Sequence, residues 1–348
     1  MPITMQVPVI FADNAQTTDA ELQLIREMGI TNVDLNFGLA QCSEQGVRDI
    51  LARLARFGLV AGNLSCMPLQ KNPSIILGRD DRDEHIERFR DLVRIAAAVG
   101  VPVVSVAWQP NGILRTGRAA CELSHGGLTG YVEQAEVEAR PAANGREYSA
   151  DEIWDNFAYF LERTVPLCEE LGVRMALHPN DPPIPSLAGA ASLIWRTSDY
   201  NRAFALAGES PALAMKMCVG CWLEGGEAFG NLMDDIADFT RRNKIAVVHF
   251  RNVSATLPNF TETLAEDGYA NMYRIMRRFV ECGYEGLMSV DHVFSDAAQN
   301  EGRGTDRPGY VIVALDQDAT SNPTMRYAYP TGYAKGLLHA AECELGLR

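Results

Sequence analysis

Val101-Pro-Val-Val-Ser-Val-Ala-Trp108 is the most strand-like stretch of the chain, and its neighbours on both sides repeat its pattern. Short apolar runs precede it at 7–11, 33–37 and 59–65, and others follow at 174–178, 213–218, 244–250 and 286–290. Amphipathic stretches separate them. Thr18-Asp-Ala-Glu21 has the spacing of a capping box and opens a helix reaching about Met28. The next helix, 43–57, sets Val47, Ile50, Leu51 and Leu54 on one face. Another covers 83–99, and a second capping box, Ser149-Ala-Asp-Glu152, opens one that ends near Leu171. Further helices are predicted over 193–206, 227–242 and 271–282, and a long loop leads to a last one ending near Cys343. Strands alternating with helices in this way form an α/β fold with parallel strands and right-handed crossovers.

Two architectures fit that order, a closed (β/α)8 TIM barrel and an open doubly wound sheet. An open nucleotide-binding sheet favours a glycine-rich turn after an early strand, and neither GxGxxG nor GxxxxGK[ST] occurs. The count of eight favours the barrel. No linker divides the chain, so 1–348 reads as a single barrel domain. An irregular insertion after strand four, about 109–148, is expected to act as a lid or a subunit contact.

With 348 residues, 47% of them hydrophobic, the chain can bury a large core. The formal charge of −14 and the lack of any Lys/Arg run argue against nucleic acid and anionic membranes as partners. No stretch resembles a signal peptide or a membrane span, and the eight cysteines are scattered without a disulfide framework. The expected location is therefore cytoplasmic, with thiols free to bind metal.

In a barrel of this kind the active site forms at the C-terminal ends of the strands. Strand five ends in Leu-His178-Pro-Asn-Asp-Pro-Pro, and strand six in Met-Cys218-Val-Gly-Cys221. Strand seven ends in His249-Phe-Arg251-Asn252, and strand eight in Val-Asp291-His292. A lone histidine or aspartate at a strand end commonly serves only to hydrogen-bond a loop. Four such residues at successive ends are a mixed N/S/O ligand set for a divalent transition metal, with His178, Cys218, His249 and Asp291 as ligands. The thiolate favours iron, zinc or manganese over magnesium or calcium. Cys218-Val-Gly-Cys221 also fits a redox CxxC or half of a zinc knuckle, although a redox motif usually opens a helix after the first strand and no second cysteine pair matches.

At these residues the chain resembles the mannonate dehydratase family. The likeness begins near Ser149 and runs almost to the C-terminus. It includes His178-Pro-Asn-Asp-Pro-Pro183, Met217-Cys218-Val-Gly220, His249-Phe-Arg251, Phe260-Thr-Glu262, Asp267-Gly268, Asp291-His292 and Lys335-Gly-Leu337. The resemblance implies a xylose-isomerase-like barrel that holds Mn2+ or Fe2+ on His178, Cys218, His249 and Asp291. It also implies a hydro-lyase reaction, removal of water from D-mannonate or a related aldonate to give 2-keto-3-deoxy-D-gluconate. A base takes the C2 proton while the C3 hydroxyl leaves with help from an acid, and the metal stabilises charge on the carboxylate and 2-hydroxyl.

His292 is the first candidate for proton transfer, and either Tyr327 or Tyr329 the second. Adjacent strand residues point to opposite faces, so Asp291 and His292 can both reach the site only if the strand ends there. Arg251 is a candidate for the substrate carboxylate, with a strand-end salt bridge as its alternative, and Trp108, Arg115 and Glu262 are further candidates for substrate contact. A homodimer or homotetramer is expected.

The chain departs from the family pattern where substrate is expected. Two histidines that the family carries near positions 261 and 265 are absent from Phe260-Thr261-Glu262-Thr-Leu-Ala265. An expected arginine is Ile184, and Asn36-Phe-Gly-Leu-Ala replaces a His-His-Ile-Pro segment. This is the pattern of a divergent member. Two other readings stand beside it: a metal-dependent sugar isomerase or epimerase of the same barrel superfamily, which would use two strand-end glutamates, and a non-catalytic, metal-stabilised binding protein.

Overall fold

The computed structural model describes residues 3–13, 15–294 and 323–348. Eight parallel strands form the barrel: β1 (Thr4–Ala12), β2 (Asn32–Phe37), β3 (Val60–Cys66), β4 (Val103–Ala107), β5 (Arg174–His178), β6 (Leu213–Cys218), β7 (Ile245–Phe250) and β8 (Leu287–Val290). Each pairs with the next in chain order, and β8 pairs back onto β1 with Thr4 opposite Leu287 and Gln6 opposite Ser289. The sheet is closed, which decides between the two architectures in favour of the (β/α)8 barrel.

The crossover helices are α1 (Asp19–Glu27), α2 (Glu44–Ala55), α3 (Arg82–Val99), α4 (Ala150–Leu171), α5 (Thr197–Leu206), α6 (Leu232–Arg241), α7 (Met272–Glu281) and α8 (Pro323–Glu344). Both capping boxes form. The Thr18 and Ser149 hydroxyls accept from the backbone N–H of Glu21 and Glu152, and each glutamate accepts from the backbone N–H of its partner. Helix α4 stops at Gly172, whose φ of 66° is the left-handed conformation that a C-terminal turn needs and that glycine adopts without steric cost.

Inside the barrel, Val103, Ala176, Ala214, Ala246 and Val247 make a compact plug of small side chains, with Leu287 against it. The other side of the interior is polar. Gln6 bonds Asn63, Asn63 and Ser65 bond Asp34, and Ser65 bonds Ser105. The Lys216 ammonium reaches across to Asp34 at 3.3 Å. Each of these side chains has at least one partner, and the Gln6 Oε1 is the atom left without one.

Three expectations are corrected. The insertion is not irregular: Gly117–Ala120 and Leu128–Glu133 form an antiparallel pair, and Leu128–Glu133 also pairs with Asn259–Thr263 of the loop after β7. With Asn252–Val253 they make a second, four-stranded sheet. The helix predicted over 227–242 begins only at Leu232, as α6, and a separate short helix that was not predicted, Val219–Gly225, precedes it, with Gly225, Gly226 and Gly230 between the two. The helix predicted from 193 starts at Thr197, since Ile194 accepts from the Asn180 backbone N–H and donates its own N–H to the Asn180 side-chain oxygen, which pins it to the β5 loop. The long loop expected after β8 lies, from 295 to 322, outside the described residues. No helix among those described is long and apolar enough to cross a membrane.

Candidate active site

The parallel register gathers the four strand-end residues at one mouth of the barrel. Cys218 lies level with His249, His249 with Ser289, and His178 with Ala107. Asp291 follows the last residue of β8. One ligand atom from each of His178, Cys218, His249 and Asp291 lies within 4.8 Å of the others. The Cys218 Sγ is 3.7 Å and the His249 Nδ1 3.4 Å from Asp291 Oδ2. His178 donates from Nδ1 to its neighbour's carbonyl, Pro179 O, at 2.7 Å, which leaves the Nε2 lone pair free.

Negative charge concentrates on Cys218 and Asp291 of this set. Burial keeps His178 neutral, lowering its pKa. Burial opposes ionisation of Cys218, but a hydrogen bond from Cys221, the Arg251 charge and both histidines hold the thiol well below its usual range. Cys221 is pushed well up by burial and by Cys218, so it stays a thiol. Burial also acts against the charged forms of His249 and Asp291. Attraction to Asp291 outweighs it for His249, raising it to about 9, and His292 followed by His249 holds Asp291 well below the carboxylate range.

A divalent metal fits these residues. Ligands about 2.0–2.3 Å from one ion sit about 3–4.6 Å apart, the spacing of this cluster. The His249 Nδ1 is buried without a hydrogen bond, an orphan nitrogen facing a carboxylate and a thiolate. A second trio, Asp181, Cys221 and Glu224, has comparable spacing, but its carboxylates are committed to arginines.

The strand-parity difficulty at Asp291-His292 is resolved by the backbone. Strand β8 ends at Val290, and His292 has φ of 50°, a left-handed conformation that is costly for a non-glycine residue. Both side chains consequently face the same cavity. The His292 ring is 3.7 Å from Asp291 through Nε2, and its Nδ1 bonds Glu262 Oε1. Burial works against the Glu262 charge, but His292, Arg115 and Arg251 hold this carboxylate well below its ordinary range. Glu262 therefore fixes the ring through Nδ1 and turns Nε2 to the cavity.

The four candidates for substrate contact lie elsewhere. Arg115 and Arg251 are 1% and 2% exposed and sit in a buried ion network behind the metal ligands. Arg115 binds Glu262 at 2.6 Å and Asp181 at 2.5 Å, and Arg251 binds Glu224 at 2.6 Å and Asp181 at 3.2 Å. Arg251 also reaches within 3.6 Å of the Cys218 sulfur. It passes so close to Gly220 that a Cβ there would stand 2.4 Å from the guanidinium carbon, which explains the glycine of Met-Cys-Val-Gly. Burial, aided by Asp181, pushes Glu224 well up toward its neutral form. Two guanidinium groups thus face three carboxylates, of which Glu224 is the one burial drives toward its neutral form.

Trp108 is buried edge-on against Phe157, 4.9 Å away, rather than turned to the cavity. None of Trp108, Arg115, Arg251 and Glu262 lines the cavity wall; the salt-bridge alternative for Arg251 is the one this geometry matches. Of the two tyrosines, Tyr327 lines the wall, whereas Tyr329 is exposed and bonds Glu266.

The wall also carries residues that strand-end reading did not select: Asp34, Asn36, Gln70, Lys71 and Lys216. Lys216 and Asp34 had a signal, being charged residues inside apolar runs with Lys216 two before Cys218, on the same face of the strand. Lys71 had none, because it is placed by a short helix, Met67–Gln70, that folds over the mouth after β3.

Comparison with known proteins agrees with this fold. The D-mannonate dehydratase (UxuA) family model matches residues 142–318, just over half the chain. Mannonate dehydratase 2 of Halalkalibacterium halodurans is 26% identical over 266 residues, covering 69% of this chain and 75% of that protein. The crystal structure of mannonate dehydratase from Streptococcus suis serotype 2 superposes with a TM-score of 0.79 at 21% identity, over 98% of this chain and 96% of that one. A xylose isomerase-like TIM barrel protein from Mycobacterium smegmatis, solved with magnesium, gives 0.59 at 15% identity, over 98% and 97%.

Proposed function

Because this chain belongs to the D-mannonate dehydratase family and is a hydro-lyase, we propose that it dehydrates D-mannonate or a closely related aldonate to the 2-keto-3-deoxy acid in a metal-dependent reaction. The observation that carries the metal dependence is the His178–Cys218–His249–Asp291 cluster with its orphan His249 nitrogen. A manganese or iron ion held by these four residues supplies Lewis-acid stabilisation of negative charge on the substrate carboxylate and 2-hydroxyl.

The chain's own groups supply the proton chemistry. His292 Nε2, with Nδ1 engaged by Glu262, takes the proton from C2. Burial, together with the charges of Asp291 and Asp34, pushes the Tyr327 phenol well up, so it is a proton donor. It protonates the C3 oxygen as the C–O bond breaks, and water leaves. The C2–H electron pair becomes the C2–C3 double bond of an enol, which tautomerises to the 2-keto-3-deoxy acid. A proton passed from His292 back to Tyr327 resets the site. Among the described residues the cavity wall carries aspartates but no glutamate, which favours this reading over a two-glutamate isomerase.

The test is incubation of manganese- or iron-loaded protein with a panel of aldonates and ketoses. A 2-keto-3-deoxy product formed from an aldonate is the expected result. Interconversion of ketoses, or no turnover of any aldonate, would overturn the assignment.

A further inference from the structure

Two lysines line the cavity wall, and among the described residues their partners differ. Lys216 is paired with Asp34 at 3.3 Å. Asp291 faces His249 at 3.4 Å and the Cys218 sulfur at 3.7 Å in the cluster described above. The buried arginines are paired with Asp181, Glu224 and Glu262 and lie behind the wall. One cation is left over: Lys71 lines the cavity, and its ammonium makes no hydrogen bond or ion pair among the described residues. It is half-buried, and it feels both Asp181 and Asp291 without touching either.

An unpaired, half-buried ammonium is costly to a fold and is retained most readily where a ligand supplies the missing charge. The surrounding wall offers Thr17, Asn36, Ser65 and Gln70, neutral groups suited to the hydroxyls of a polyol.

Building on the sugar-acid reading, we propose that Lys71 is the residue that makes this site select a monoanionic acid over a neutral sugar. Its ammonium donates to the substrate carboxylate in the cavity that it shares with His178, His249 and Asp291. In this role Lys71 also offsets the charge that builds on the carboxylate as the C2 proton leaves. It supplies a cation that the chain provides neither at Ile184 nor near positions 261 and 265, where the family pattern places basic residues.

The experiment is calorimetric binding to manganese-loaded protein. The probes are 3-deoxy-D-arabino-hexonate, an acid without the C3 hydroxyl that dehydration requires, and D-mannitol, its neutral counterpart in shape. Lys71→Met is expected to weaken acid binding by about 10- to 100-fold, the range of a lost charge-assisted hydrogen bond. Mannitol affinity and metal content should not change, and Lys71→Arg should restore acid binding to within a few-fold. Lys71→Gln serves the same purpose if Lys71→Met does not fold. Equal acid affinity in wild type and Lys71→Met overturns the subsite and leaves the sugar-acid reading intact. Equal loss of acid and mannitol overturns it too, since packing rather than charge would then be at work. A wild type that does not bind the acid removes both the subsite and the reading beneath it.

Discussion

Replacing Arg115 with methionine separates the structural role that its surroundings assign from a role in holding substrate. The side chain is fully buried, and its guanidinium bonds Glu262 and Asp181, with Glu224 at 3.4 Å. Methionine fills most of the space but leaves the carboxylates behind. Removing one partner of a buried ion pair typically costs about 3–5 kcal/mol. Here part of the loss is recovered, because Asp181 keeps Arg251 at 3.2 Å and Glu262 keeps His292. The lower end, about 3 kcal/mol, is therefore expected. For 348 residues at about 2.1 cal/mol/K each, the unfolding entropy is roughly 0.7 kcal/mol/K, so Tm should fall by about 4 °C. Scanning calorimetry of wild type and Arg115→Met at one protein and metal concentration measures the shift. An unchanged Tm together with a raised KM for the acid would refute the buried-network account and return Arg115 to the substrate.

Other outcomes follow from the same geometry. Cys218→Ser, which replaces a thiolate with a neutral hydroxyl, should weaken metal retention by roughly tenfold or more, read by elemental analysis after gel filtration; full occupancy would remove Cys218 from the ligand set. His292→Asn should keep its metal yet lose about 10²- to 10⁴-fold in kcat, and an unchanged kcat would exclude His292 from proton transfer. Ser149→Ala removes the cap of α4 and should cost about 1 kcal/mol, or between about 1 and 2 °C in Tm; no shift would mean that the cap adds nothing. Burial, reinforced by Lys216 and only partly countered by Asp181 and Asp291, lowers the Lys71 pKa from 10.5 to about 8. Between these values the unfolded chain binds more protons than the native one, so native stability rises with pH there. Metal-free Lys71→Met should accordingly exceed the wild type near pH 7 by on the order of 3 kcal/mol, and the gap should close as pH rises from about 8 to 10.5; a gap constant across that range would contradict the burial of this charge.

The parts of the fold legible in the sequence were those set by local chemistry. Capping boxes at Thr18 and Ser149 and the apolar runs of β5 and β6 mark their elements to within a residue, because a helix start and a buried strand are specified by side chains close in sequence. The second sheet was not legible. Leu128–Glu133 is short and contains a glycine, and one of its partner strands lies more than 120 residues onward at Asn259–Thr263, so nothing local marks it. The metal-ligand candidates were visible because strand ends converge in any barrel. The arginines were misplaced for a related reason: proximity to a strand end does not say whether a side chain turns to the cavity or behind it, and here Asp181, Glu224 and Glu262 draw them behind. His292 reaches the site through a positive φ, which a histidine code letter does not announce.

The second sheet has a consequence for anyone who would graft or shorten this chain. Gly130 donates its backbone N–H to the Glu262 carboxylate and Thr129 its hydroxyl to the Glu262 carbonyl, while Arg115 joins the same carboxylate from just ahead of the first strand. Segments 109–148 and 252–265 thus form one unit, and moving either alone into a related barrel would strand half of the support that Glu262 gives His292. Descent by insertion and deletion faces the same constraint, so these two stretches should change in length and sequence together.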